Sequence, residues 1–248
     1  MTTPILNLAA YRFCPIADPQ ATRAALEAAG RALGIKGTIL VTPEGLNAFI
    51  AGAEAPCRDM LERLRAVPGF ETLAAKESWS AEVPFRRFKV KVKKEIIRMD
   101  HPAIQPAAGR APAVDANTLA RWLDCGHDDA GKEVVMLDTR NDFEVDHGRF
   151  ANAIDWRIRK FTEFPQAVQG HRAALKDKTV VSYCTGGIRC EKAALYMHEL
   201  GLTNVLQLDG GILKYFEETD GRHWQGNCFV FDEREALGPD LAVGAQNG

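Results

Sequence analysis

Residues 179–184, TVVSYC, run straight into TGGIRC and then into a helix-forming stretch, and no other feature limits the fold as strongly. A continuous apolar run of this length suits a strand buried on both faces, which requires helices on either side of a parallel sheet. The run EVVMLDTR at 133–140 and the run NVLQLDGG at 204–211 have the same character. Helical periodicity falls between and around them, at 118–123, at 191–200 and from Ile212 onward. Strands alternating with helices predict an α/β unit with a parallel sheet over 114–220.

The loop from Cys184 to Arg189 lies where a buried strand gives way to a helix, and ligands bind at that end of open α/β sheets. Gly186 and Gly187 let the backbone of Thr185, Gly186, Gly187 and Ile188 curl, so that several N–H groups converge on an anion at a helix N-terminus. The same field draws down the pKa of a thiol at its centre, which makes Cys184 the candidate nucleophile. Arg189 adds a fixed positive charge and can grip an anion with two nitrogens. A lone cysteine ending a strand is usually a small buried hydrophobe; the strand, Gly-Gly, arginine and helix together reverse that preference.

Other candidates are weighed against plainer roles. Asp138 and Arg140 could orient a substrate, but a buried ion pair bracing the sheet end is the favoured reading, because buried charges need partners. Cys190 falls in the first turn of the following helix, where packing is favoured over service as a resolving thiol. The six cysteines include no CxxC pair and no metal-like spacing with histidine, so no metal site, flavin, nicotinamide or other cofactor is identified. No apolar run reaches the roughly 18 to 20 residues of a membrane span and no basic-then-apolar leader is evident, so no membrane association and a cytoplasmic location are expected.

Residues 1–98 follow another plan. Strand-like 4–14, helical 19–33, the hairpin 37–42 and 46–52, helical 54–67 and strand-like 85–97 give the order strand, helix, strand, strand, helix, strand. That is the ferredoxin-like pattern, an α+β sandwich. Residues 99–113 are rich in proline and lack periodicity, and are taken as a linker; 221–248 are a C-terminal extension whose end, GPDLAVGAQNG, is expected to fray.

Charge divides along the same line. Residues 1–110 hold 16 Lys and Arg against 11 Asp and Glu, while the remainder is acidic. Arg86, Arg87, Lys89, Lys91, Lys93 and Lys94 crowd into one segment. At strand period, Lys89, Lys91 and Lys93 share one face and Phe88, Val90 and Val92 the other. Lysines on an edge strand often guard against aggregation; with the basic surplus, contact with RNA phosphates is the favoured reading.

CTGGIRC (184–190) resembles the active-site loop of the rhodanese superfamily, MLDTRNDFEVDHGRFANAID (136–155) its preceding motif, and LDGGI (208–212) its closing motif. Arg149-Phe150 departs from the His-Ile usual there. Four residues separate Cys184 from Arg189, where the related dual-specificity phosphatases have five, and the resemblance therefore implies sulfur chemistry rather than phosphate-ester hydrolysis. The whole arrangement, with KGTILVTPEGLNAFIAG (36–52), PFRRFKVKVKKEII (84–97), CTGGIRCEKA (184–193) and GNCFVFDER (226–234), is similar to the bacterial tRNA uridine 5-hydroxylase family. That resemblance implies a rhodanese-like catalytic domain behind a ferredoxin-like one, tRNA as partner, molecular oxygen as co-substrate, and 5-hydroxyuridine at the wobble position as product. Two alternatives stand beside it: sulfur transfer through a Cys184 persulfide, and a non-catalytic rhodanese-like binding module, against which the intact Cys184 and Arg189 argue.

Overall fold

The computed structural model describes residues 4–243, in two compact units, Met1–Arg98 and Met99–Gly248. In the first, β1 (Ile5–Phe13), α1 (Pro19–Ala32), β2 (Lys36–Thr42), β3 (Gly45–Gly52), α2 (Glu54–Arg65), β4 (Lys76–Ser80) and β5 (Phe88–Val92) follow in order. Alternation along the strands puts Leu6, Leu8, Ala10, Ile39, Val41, Leu46, Ala48 and Ile50 on one face, buried with Leu26 of α1 and Met60, Leu61 and Leu64 of α2. Asp18 sets where α1 begins, its Oδ1 accepting from the N–H groups of Gln20 (3.0 Å) and Ala21 (2.9 Å).

The sheet order is β4-β1-β3-β2-β5. Its first four members form the ferredoxin-like arrangement, but the fourth strand is not the expected 85–97. The short polar KESWS pairs with β1 instead, from Ile5↔Ser80 to Ala9↔Lys76. An edge strand of that composition has no apolar alternation to betray it. The basic segment supplies a fifth strand, shorter than expected, parallel to β2 at the other edge, with Thr38↔Lys89 and Leu40↔Lys91 in register. Val90 is buried in the core and Phe88 packs against it, the ring lying so close over Gly30 of α1 that any Cβ there would overlap it.

The second unit contains β6 (Ala113–Val114), α3 (Ala116–Cys125), β7 (Val134–Asp138), α4 (Asp142–Val145), β8 (Gly148–Phe150), α5 (Phe164–His171), β9 (Thr179–Tyr183), α6 (Ile188–Glu199), β10 (Val205–Leu208), α7 (Gly211–Thr219), β11 (Trp224–Gly226), β12 (Cys228–Phe229) and β13 (Ala236–Leu237). Its main sheet, β6-β10-β9-β7, is wholly parallel. Every residue of β9 is buried, which is why TVVSY reads as an unbroken apolar run.

The stretches taken from sequence as linker and C-terminal extension both pack within the second unit. The proline-rich 99–113 is not a free linker: Gln207 of β10 donates from its backbone N to Pro112 O (3.0 Å) and from Nε2 to Ala111 O (3.1 Å), Arg110 pairs with Asp209 (2.9 Å), and the His101 and Tyr196 rings meet at 4.9 Å. Prolines removed the periodicity that would reveal packing, while the carbonyls around them still found donors. Nor is 221–248 an appendage, since β11 pairs with β8 and Trp224 packs edge-to-face on Phe150 at 5.2 Å. The expected fraying is also absent as far as Val243, because β12 pairs with β13 and Leu237 bridges to Val243; the rest of that segment lies outside the described residues. Among the described residues, no helix is long and apolar enough to cross a membrane.

Candidate active site

Cys184 stands directly after β9 and Gly187 directly before α6, so the loop between them is anchored at both ends. Gly187 has φ +98°, a conformation that favours glycine and that turns its N–H onto Cys184 Sγ at 3.2 Å. The closing motif seats the loop from below. Ile212 N donates to Cys184 O (3.0 Å) and Leu213 N to Thr185 O (3.2 Å), and a Cβ on Gly211 would stand 2.4 Å from Cys184 O and 2.7 Å from Gly187 N. Only a glycine lets the start of α7 approach so closely.

Cys184 is fully buried, and burial alone would raise its pKa. The Cys190 thiol donating to it, the Arg189 charge and the backbone N–H groups of Arg189 and Cys190 outweigh that burial and bring it down to about 5. These contacts favour the thiolate form of Cys184. The other buried thiols go the opposite way: burial pushes Cys57 up to about 11 and Cys228 up to about 12, and lifts Cys190 well above its usual value. Cys190, read from sequence as packing, thus acts on the Cys184 thiol, and its own Sγ lies 3.6 Å from Thr139 Oγ1.

Arg189 differs from expectation in what its fork holds. Nη1 and Nη2 donate to the two carboxylate oxygens of Glu144 at 2.6 and 2.7 Å, so neither faces outward to grip an anion. Burial favours a neutral guanidine, but the Glu144 charge and hydrogen bonds keep Arg189 charged, and its field reaches Cys184. Glu144, which sequence reading did not single out, also accepts from Asn141 N (3.0 Å) and so fixes the start of α4. The signal was present: Asn141 followed three residues later by Glu144 is a capping pattern within the rhodanese-like motif.

Asp138 and Arg140 form a second buried pair. Arg140 donates to Asp138 through Nε (2.9 Å) and Nη2 (2.6 Å), and through Nη2 to Gly148 O (2.7 Å), while its guanidinium lies 5.3 Å from the Trp224 ring centre. These contacts tie the end of β7 to β8 and β11. The basic residues sit in the other unit: Lys89 and Lys91 lie on β5, on the sheet face away from the helices, Arg86 and Arg87 precede the strand, and Lys93 and Lys94 follow it. Lys91, Lys93, Lys94, Arg86 and Arg87 are exposed.

A thiolate held by backbone amides between a buried parallel strand and a helix, behind an acylphosphatase-type α+β unit, defines a rhodanese-like protein of two domains. Family models agree: residues 5–96 match the UPF0176 acylphosphatase like domain and residues 115–218 the rhodanese-like domain. A tRNA uridine(34) hydroxylase of Variovorax paradoxus is 64% identical over 97% of this chain and 92% of its own length, and one of Bordetella avium is 60% identical over 96% and 98%. Among solved structures, a human single-domain sulfurtransferase aligns over 44% of this chain and 97% of its own, at 23% identity and a TM-score of 0.36. The chain belongs to the tRNA uridine(34) hydroxylase family.

Proposed function

We propose that this protein is an oxidoreductase that hydroxylates C5 of the wobble uridine of tRNA, with Cys184 as nucleophile and molecular oxygen as the source of the added atom. One observation carries the reading: near-full-length identity of 64% to a tRNA uridine(34) hydroxylase. The loop supplies a chemistry that suits it. Addition of the Cys184 thiolate to C6 of the uracil breaks the C5–C6 π bond and places the electron pair on C5, which bonds to one atom of O2 and takes up a proton; a two-electron donor and two further protons then cleave the O–O bond, leaving the C5 hydroxyl and releasing the other oxygen as water. Loss of the C5 proton and departure of the thiolate restore the double bond. The loop amides of Gly187, Arg189 and Cys190 and the Arg189 charge favour the thiolate, which is both the attacking and the leaving group. Thr185, Gly186 and Ile188 complete the loop that faces the substrate. Asp138, Arg140 and Glu144 hold the surrounding backbone, and Arg86, Arg87, Lys89, Lys91, Lys93 and Lys94 contact tRNA phosphates. The cytoplasm, where tRNA is modified, is its place of action.

The test is product analysis. tRNA from a strain lacking this activity, with and without the protein supplied, is digested to nucleosides and analysed by mass spectrometry. A uridine one oxygen heavier, present only with active protein and absent with Cys184→Ser, is the expected result. Unchanged uridine in both samples would sink the proposal.

A further inference from the structure

Three phenylalanines gather beside the nucleophile loop in a manner that bonding within the fold does not account for. Phe143, Phe229 and Phe231 meet edge-to-face, with ring centres 5.2 Å apart for Phe143 and Phe229, 5.1 Å for Phe229 and Phe231, and 6.4 Å for Phe143 and Phe231, every pair within 3° of perpendicular. His147 adds a fourth ring, 5.2 Å from Phe229. Two of these rings are nevertheless open to solvent, Phe143 at 42% and Phe231 at 54% relative exposure. Adjacent exposed phenyls mark a surface with something to bind.

Their supports are rigid, and both lead to the catalytic loop. Phe143 lies in α4 next to Glu144, whose carboxylate grips Arg189. Phe229 O accepts from Thr185 Oγ1 at 3.4 Å, one residue from the nucleophile. Phe231 precedes a braced turn in which Asp232 Oδ1 accepts from Arg234 N (3.0 Å) and Nε (2.8 Å), and Oδ2 from Nη2 (2.6 Å). The rings are presented by this turn and by a capped helix, not by a loose chain end.

We infer that Phe143 and Phe231 form a stacking platform for an unpaired base flanking the uridine that Cys184 attacks. The inference rests on the hydroxylase reading and extends it to how the loop of the RNA is held. A base can be modified on its ring only out of its stack, and its neighbours then lose stacking partners that aromatic side chains can replace. Stacking on phenyl faces is tolerant of base identity, so the platform holds the strand in register while the Cys184 loop reads the target. The occupant follows from continuity: the patch adjoins, through Thr185 and Glu144, the loop on which the uridine must sit.

The experiment uses the full chain and an RNA hairpin with an unpaired loop containing the uridine. Binding is followed by fluorescence anisotropy and hydroxylation by nucleoside mass spectrometry, for wild type, Phe143→Leu, Phe231→Leu and the two Tyr replacements. Leucine keeps the apolar bulk and removes the π face; each Leu variant should bind the hairpin about tenfold more weakly, with the loss falling on KM more than on kcat, while the Tyr variants regain near-wild-type affinity. Alkylation of Cys184 should proceed at the wild-type rate in all of them, which separates lost stacking from a disturbed loop. Leu variants that bind and turn over like wild type would overturn the platform and leave the hydroxylase reading standing. Wild-type protein that makes no hydroxylated uridine would instead overturn that reading, with the anisotropy series still deciding whether the rings hold RNA.

Discussion

The Cys184 loop and the basic strand are both candidate contacts with RNA, and they are built on opposite terms. Around Cys184, position is fixed by buried hydrogen bonds: an amide at 3.2 Å, an arginine whose fork is spent on a buried glutamate, and a second ion pair behind it. Along β5, exposed Lys91 and half-buried Lys89 stand on an edge strand whose apolar side alone is packed. Bond-making needs a group held to a fraction of an ångström and a tuned pKa, which only a desolvated, fully partnered site provides. Attraction for a polyanion needs charge near a surface and little geometry, and hydrated lysines suffice. Substitutions should therefore act steeply in the first region and gradually in the second.

The steepest case is Cys184→Ser. Serine is close to isosteric, but its hydroxyl is far less acidic, so hydroxylation should fall below detection while thermal unfolding stays near wild type. Turnover at the wild-type rate would remove Cys184 from the chemistry altogether. Next comes Glu144→Gln, which leaves the buried Arg189 charge without its counter-ion; loss of a partner in a buried pair is strongly destabilising, and a decrease on the order of 3 kcal/mol is expected in urea unfolding. A variant as stable as wild type would show that the pair is not what holds α4 to the loop.

Cys190→Ala gives a finer measurement. The Cys184 pKa of about 5 lies below that of an ordinary thiol, so the thiolate is present above pH 5 and is lost as pH falls through that value. Iodoacetamide modification of Cys184, followed by peptide mapping, should therefore be level from pH 8 to pH 6 and halve near pH 5. Removing the Cys190 donor should move that midpoint upward by about one unit, the equivalent of one hydrogen bond to a charged group. An unmoved midpoint would assign the low pKa to the backbone amides and Arg189 alone.

The same contrast accounts for what the sequence made legible. TVVSYC followed by TGGIRC names a buried strand, a turn and a helix start without ambiguity, because each residue there answers to a strict steric demand. The second unit and the position of the Cys184 loop could therefore be read in advance. Glu144 and Cys190 could be read only partly, since their roles depend on partners 45 residues away in the chain and on a contact between two thiols. KESWS escaped notice because a polar edge strand has no periodicity of its own; the alternating FKVKV drew the assignment that belonged to it. The packing of the stretch 99–113 went unseen for a related reason, since it runs through backbone carbonyls that no side-chain pattern advertises.

The gentlest effects belong to the basic strand, where each lysine counts separately. Charge-to-alanine changes at Lys89, Lys91 and Lys93 should each weaken tRNA binding only a few-fold, and together should flatten the fall of log affinity with log salt by about 2 units of slope. The thermal midpoint should barely move, because Lys89 and Lys91 lie on the face away from the helices, Lys93 follows the strand, and none of the three belongs to the core. A strand guarded by lysines for solubility predicts the reverse: RNA affinity and slope stay the same, and the triple variant aggregates at concentrations where wild type does not, its edge having lost its charged protection. Binding titrations across a range of salt, run beside light scattering on the same samples, distinguish the two. An unchanged slope would remove the first unit from RNA recognition, and would leave the region around the Cys184 loop to hold the substrate by itself.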